Sequence, residues 1–392
     1  MNDVSGIGMT PAARARLIGA GYAAQGLGYA AVVTALPTFK DRQDIDDTFV
    51  SVILLVVCVA AAAGSVLADR VAARWGSRYA LASGLLLVAA GLAGATVATP
   101  NVIFTVILLA YGVGLGAVDA SLSMQGVLVQ ARLGRSVMSR LFAAYTGAAI
   151  VAALLMSGVL ESGAGASLAV GVAAAYAAVI GLIGWRAFEP GRTERVAVVR
   201  AEGGPSVRPV VLICGMLIFT AFLVDSAVST WSSVYLQDSL AAAASVAPLG
   251  YAAYQAAVLV SRLVADHVVP RAGRTALALG ALAVCGLGCA LVTTLPSIGA
   301  AVTGFAIAGI GVGVLVPLAF SAAGEAAAQS SDEVIARVNL FNYGGALVGA
   351  VLIGALSEPI GLQAAFLIPV VAVIATLPLA RRLRTLAVPA RV

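Results

Sequence analysis

Two carboxylates draw notice by their surroundings. Asp119 interrupts an otherwise uncharged run from Gly112 to Met124, and Asp225 interrupts another from Val210 to Val234. An ionisable side chain deep in such a run is costly to hold in a membrane and marks a functional position by default. A carboxyl there can bind a proton on one side and release it on the other. Asp119 and Asp225 are therefore the candidates for proton coupling. The competing reading is a hydrogen-bonded Asp that pins two helices together.

Polar side chains at helical spacing form a second signal. Tyr22, Gln25 and Tyr29 recur at i, i+3 and i+7, so they share one helix face. Tyr251, Tyr254 and Gln255 cluster on another helix, and Asn339, Asn342 and Tyr343 on a third. With Gln125, Tyr145 and Trp231 they make up the expected lining of a substrate cavity. Hydroxyls and amides beside aromatic rings suit a partly polar organic solute, such as a sugar, a metabolite or an amphiphile. Helix–helix hydrogen bonding would account for any single stripe. Apart from Arg262 at a helix end, no Arg or Lys lies at the depth of these residues. The expected solute is neutral, zwitterionic or cationic, not a phosphate or a dicarboxylate.

Other chemistries find no footing. No Ser/His/Asp set is present, and His267 is the single histidine. The four cysteines, Cys58, Cys214, Cys285 and Cys289, sit in apolar runs without further ligands, so neither metal nor cofactor is expected. The glycines at 112, 114 and 116 follow no strand and precede no Lys-Ser/Thr, so they are not a nucleotide loop. An enzyme is not expected.

The elements that carry these residues follow from composition. The chain has 392 residues, 61% apolar and 10% charged. Soluble domains are about 25% charged. The chain reads as an all-α polytopic membrane protein. Crossing the hydrocarbon takes about 20 apolar residues per helix, so twelve spans need roughly 240. Twelve apolar segments can be marked near 15–37, 48–68, 79–98, 101–130, 138–160, 167–187, 209–236, 245–265, 275–294, 297–321, 335–357 and 360–380. On that placement Asp119 lies about 27 Å from the outer end of its helix, and Asp225 about 24 Å from the inner end of its own.

Charge sets the orientation. There are 22 arginines and one lysine. With both termini cytoplasmic, only Lys40 and Arg42 fall outside, a strong positive-inside bias. The basic balance is thus a topology signal, and no basic face with interleaved aromatics suggests nucleic acid. Arg14 and Arg16 precede a first span too long for a signal-peptide core. The expected place is the inner membrane, as a monomer among lipids.

The chain also repeats itself at an offset of 197. Ala68-Asp69-Arg70-Val71 returns as Ala265-Asp266-His267-Val268, Arg74 and Gly76 as Arg271 and Gly273, and Gly112, Gly114 and Gly116 as Gly309, Gly311 and Gly313. Arg140, Gly147 and Glu161 return as Arg337, Gly344 and Glu358. The expected domains are a six-helix bundle over 1–188, a cytoplasmic linker over 189–208 and a second six-helix bundle over 209–392. Two parallel repeats predict a polar cavity between halves near the midplane, with access alternating by rocking.

The loop Asp69-Arg70 through Arg74-Trp75-Gly76-Ser77-Arg78 resembles the signature between helices 2 and 3 of the major facilitator superfamily. Asp266 with Arg271, Gly273 and Arg274 is similar to its echo between helices 8 and 9. The resemblance covers essentially the whole chain. It implies the twelve-helix transporter fold and a cytoplasmic gate in which Asp69, Arg70, Arg74 and Arg78 form an inter-helix charge network. The sequence departs from the pattern where a glycine is usual four residues before the Asp: Ser65 stands there, with Gly64 one place earlier. Residues 112–126 and 225–236 further resemble a bacterial branch near the fucose-permease-like transporters. Two marks of the drug:proton antiporters are missing, an arginine in the apolar part of span 4 and a Gly-Pro pair in span 5. The resemblance thus leans toward uptake by proton symport. Proton-driven export of drugs, metabolites or lipids is the alternative within the class. A non-transporting scaffold or sensor is the alternative outside it.

Overall fold

The computed structural model describes residues 10–97, 99–134, 137–189, 208–326 and 331–386. Most of the expected linker, and the side chains of Asp266, Arg271 and Asn339, lie outside the described residues. The described chain is helical, without strands. It divides into two units, Met1–Arg195 and Val196–Val392. Ten helices are long and apolar enough to cross a membrane among the described residues.

The first unit holds α1 (Pro11–Thr34), α2 (Leu36–Gln43), α3 (Asp47–Trp75), α4 (Ser77–Ala95), α5 (Asn101–Leu133), α6 (Met138–Glu161) and α7 (Ala166–Ala187). The first apolar segment does not run unbroken to Pro37. It ends at Thr34, and Pro37 sits in the first turn of the short α2, where a missing N–H removes no helical hydrogen bond. In this unit α1 packs on α5, α6 and α7, α3 on α4 and α5, and α4 on α5 and α7.

The second unit holds α8 (Arg208–Val234), continued by a π turn over Tyr235–Ser239, then α9 (Ala247–Ala272), α10 (Arg274–Thr294), α11 (Ile298–Ala326), α12 (Ser331–Ile360), α13 (Leu362–Ala365) and α14 (Leu367–Arg381). A 3₁₀ turn over Arg382–Leu386 follows. A turn at Phe366 lies within the last apolar segment, which runs as one candidate span over Leu362–Arg384, and α12 extends through Pro359 to Ile360. Here α8 packs on α11, α12 and α14, α9 on α11, and α10 on α11 and α14.

The repeat is visible in how the helices touch. A β-carbon at Gly112 would stand 2.8 Å from the carbonyl oxygen of Val57, and one at Gly309 would stand 2.6 Å from that of Tyr254. At Gly114 it would meet the Val88 nitrogen at 2.8 Å, and at Gly311 the Cys285 nitrogen at 2.9 Å. At Gly116 it would run into the backbone of Ala61, and at Gly313 into that of Val258. Every partner recurs at the same offset of 197 as the glycines themselves. Small residues let backbones approach where van der Waals packing must hold helices together in lipid. Gly64, one place from the family position, is likewise pressed against the Val113 carbonyl.

Both units also turn a corner on a glycine at the repeated position. Gly76 ends α3 at φ 105°, and Gly273 ends α9 at φ 74°. A side chain is strained in that conformation.

Lys40 and Arg42, the two basic residues assigned outside, are both engaged. Lys40 pairs with Asp47 at 2.5 Å. Arg42 donates to the Ala95 and Thr96 carbonyls at 2.6 and 3.2 Å, at the C-terminal end of α4, and lies over the rings of Phe39 and Phe104. A cation at that end of a helix meets the negative pole of its dipole.

Candidate functional site

In the first unit, α1 and α5 bring an amide to a carboxyl. Gly21 leaves room for Leu122 of α5, and Gly26 lies against the backbone of Tyr145 on α6. Between these two close approaches, Gln25 donates its side-chain N–H to Asp119 Oδ1 at 3.0 Å. Gln25 is buried, whereas Asp119 keeps accessible surface. Tyr22, on the same face of α1, is buried with its ring edge-on to Phe142 at 5.4 Å. Tyr29 and Tyr145 are half-buried. On α1 the structure thus joins Gln25 to Asp119.

Gln125 does something else. It is fully buried on α5, and its amide donates to Ser77 Oγ and to the Glu189 carbonyl, both at 2.9 Å. Its own oxygen accepts the Glu189 N–H at 2.8 Å. The Glu189 carboxylate, also fully buried, takes Arg14 at 3.2 Å and Arg132 at 2.7 Å. One glutamate just past α7 therefore ties the ends of α1 and α5 together, and Gln125 carries the link on to Ser77 at the start of α4. Arg132 serves this clasp and not Asp119. Sequence reading missed it because Glu189 lies in the apparent linker, far in sequence from Arg14. The available signal was an isolated acid among basic helix ends.

In the second unit, the Tyr254 hydroxyl donates to Asp225 Oδ1 at 2.7 Å. Tyr251 accepts from Gln255 at 3.0 Å, one turn along the same helix. Trp231 donates its indole N–H to the Ala350 carbonyl at 2.8 Å, fixing α8 to α12. Trp231, Tyr251 and Tyr254 are all fully buried. Asn342 is half-buried and Tyr343 exposed. The structure thus joins Tyr254 to Asp225 and places Trp231 in the packing of its own unit.

Asp119 and Asp225 share one property. Each receives one hydrogen bond from a neutral donor, and neither forms an ion pair among the described residues.

At the α3–α4 loop, for which the resemblance implies a charge network, Asp69, Arg70 and Arg74 are exposed. Arg74 lies over the Trp75 ring at 5.1 Å. Arg78 lies over Tyr79 at 4.5 Å and donates to its hydroxyl at 2.6 Å. In the second copy Arg274 begins α10 and is half-buried. No group of three or more potential metal ligands occurs among the described residues.

Comparison with known proteins fits this architecture. The model of the Major Facilitator Superfamily matches residues 18–332. An uncharacterised MFS-type transporter of Yersinia pestis is 26% identical over 348 residues, covering 87% of this chain and 88% of the relative. The membrane protein MosC of Rhizobium meliloti is 27% identical over 346 residues, covering 87% and 83%. Among solved structures, a mutant of the nucleoside transporter NupG superposes with a TM-score of 0.75 at 13% identity, over 95% of this chain and 99% of that one. A bacterial homologue of the human lysosomal transporter Spinster, inward-facing and occupied, gives 0.73 at 12%, over 98% and 100%. The chain belongs to the major facilitator superfamily: it is a multi-pass membrane transporter and not an enzyme. These matches establish the superfamily, not a branch within it.

Proposed function

We propose that the protein is a proton-coupled secondary transporter that carries a small organic solute across the bacterial inner membrane by alternating access. Symport is the favoured direction, and both termini are cytoplasmic. In this reading α1 and α9 span as well, completing twelve. They are 24 and 26 residues long, enough to cross, and α1 owes its lower apolarity to the Tyr22, Gln25 and Tyr29 face.

The observation that carries the proposal is the setting of the two deep carboxyls. An Asp locked to an arginine has no reason to exchange its proton. Asp119 and Asp225 are each steadied by one neutral donor and held by no cation contact, so a change of protonation breaks no ion pair. The solute is neutral, zwitterionic or cationic, and the Gln25–Asp119 face with Tyr22 is its polar contact.

The test is uptake into proteoliposomes under an imposed pH gradient, with a labelled panel of nucleosides, sugars, amino acids, quaternary amines and dicarboxylates. Gradient-driven accumulation of a neutral, zwitterionic or cationic member supports the reading. Expulsion under the same gradient reverses the direction. Selective uptake of a dicarboxylate contradicts the assigned solute class.

A further inference from the structure

Ser229, Ser232 and Ser233 of α8 are buried, and none of their hydroxyls has a hydrogen-bond partner. This is unusual within the unit. Ser261, Thr293 and Ser357 each donate back to a carbonyl three residues earlier, and Thr220 bonds Thr376 across helices at 2.6 Å. Four buried serine hydroxyls lack a partner among the described residues, and three of them are these. Buried polar groups without protein partners are normally met by ordered water.

Their placement is directional. At 100° per residue, Ser229 and Ser232 fall within roughly 40° of Asp225 around the helix, about 6 and 10 Å further along it. Leu236 continues that face and is fully buried. Beside it Tyr235, Phe305 and Phe366 close the end of the unit, with ring centroids 5.5 to 6.4 Å apart. The Tyr235 hydroxyl is held by the Val292 carbonyl at 3.1 Å.

The repeat separates this arrangement from the shared scaffold. At the offset of 197, Asp225, Ser229, Ser232 and Ser233 correspond to Gly28, Val32, Ala35 and Leu36. The acid and the hydroxyls are absent together from the first copy.

We infer that Ser229 and Ser232, with water between them, form the route by which Asp225 exchanges its proton with the end of α8 closed by Tyr235, Phe305 and Phe366. This rests on the proposed proton coupling at Asp225. The serines are positioning residues: they hold the water that relays the proton, and the aromatic triad must part for exchange to occur.

The test uses the full chain in lipid nanodiscs and follows carboxyl bands by infrared spectroscopy after a pH jump. Asp225→Asn and Asp119→Asn assign the two bands. Ser229→Ala with Ser232→Ala keeps the small side-chain volume and removes both hydroxyls. The expected result is that the Asp225 band responds slower by at least an order of magnitude, while the Asp119 band keeps its wild-type rate. An unchanged Asp225 rate, or equal slowing of both bands, overturns the route and leaves the coupling reading standing. Absence of any pH-responsive Asp225 band in the wild type overturns both. If the double variant does not fold, each single Ala variant is expected to slow the Asp225 band alone, and wild-type rates in both overturn the route.

Discussion

Gln25 on α1 donates its side-chain amide to Asp119 on α5 at 3.0 Å, linking two residues 94 positions apart. Asp119→Asn keeps the shape and an oxygen for Gln25 to reach, but it cannot carry a proton. Proton-driven accumulation in proteoliposomes should be abolished, with thermal unfolding within a few degrees of wild type. Retained gradient-driven transport would remove Asp119 from the coupling.

Tyr254→Phe deletes one hydroxyl and keeps the ring in its buried site. Loss of a hydrogen bond of this kind costs about 1–2 kcal/mol. The variant should insert and fold with a modestly lowered unfolding temperature, while transport falls further than that loss explains. Wild-type transport would show that Tyr254 only fills space beside Asp225.

The Glu189 clasp makes a stability prediction. Removing one member of a buried ionic cluster costs about 3–5 kcal/mol, because the remaining charge stays buried without its partner. Arg132 is half exposed and recovers water, so Arg14 bears most of that penalty. Glu189→Gln should lower thermal stability by roughly 3 kcal/mol in purified protein. The exposed Glu161→Gln serves as control and should be silent.

Helix contact at the repeated glycines can be probed in pairs. Gly116→Ala drives a methyl into the Ala61 backbone, and Gly313→Ala drives one against Val258. Both should reduce folded yield in membranes. Gly147→Ala meets nothing within 4 Å and replaces a poor helix former, so it should be neutral or slightly stabilising. Fluorescence-detected size exclusion would read all three.

Much of this was legible beforehand because membrane helices announce themselves through apolarity, and because an acid inside one is rare. The offset of 197 predicted corresponding glycines, and their contact partners recur at that offset. The face holding Tyr22 and Gln25 could be drawn from helical spacing alone. What could not be drawn was which neighbour each face meets. Gln125 looked like a cavity residue, yet its amide meets both the backbone N–H and the backbone carbonyl of Glu189. Trp231 looked exposed to solute, yet a carbonyl of α12 holds it. Tyr251 and Gln255 looked like residues facing a solute, yet they bond to one another. Such pairings depend on helix rotation and register, which arise from contacts between segments far apart in sequence.

All four members of the Glu189 clasp, Arg14, Gln125, Arg132 and Glu189, precede residue 195. The first unit therefore carries this fastening wholly within itself. A mechanical load applied to the chain just past Glu189 would arrive at an anchored residue, and the ends of α1 and α5 would share it rather than α7 unwinding alone.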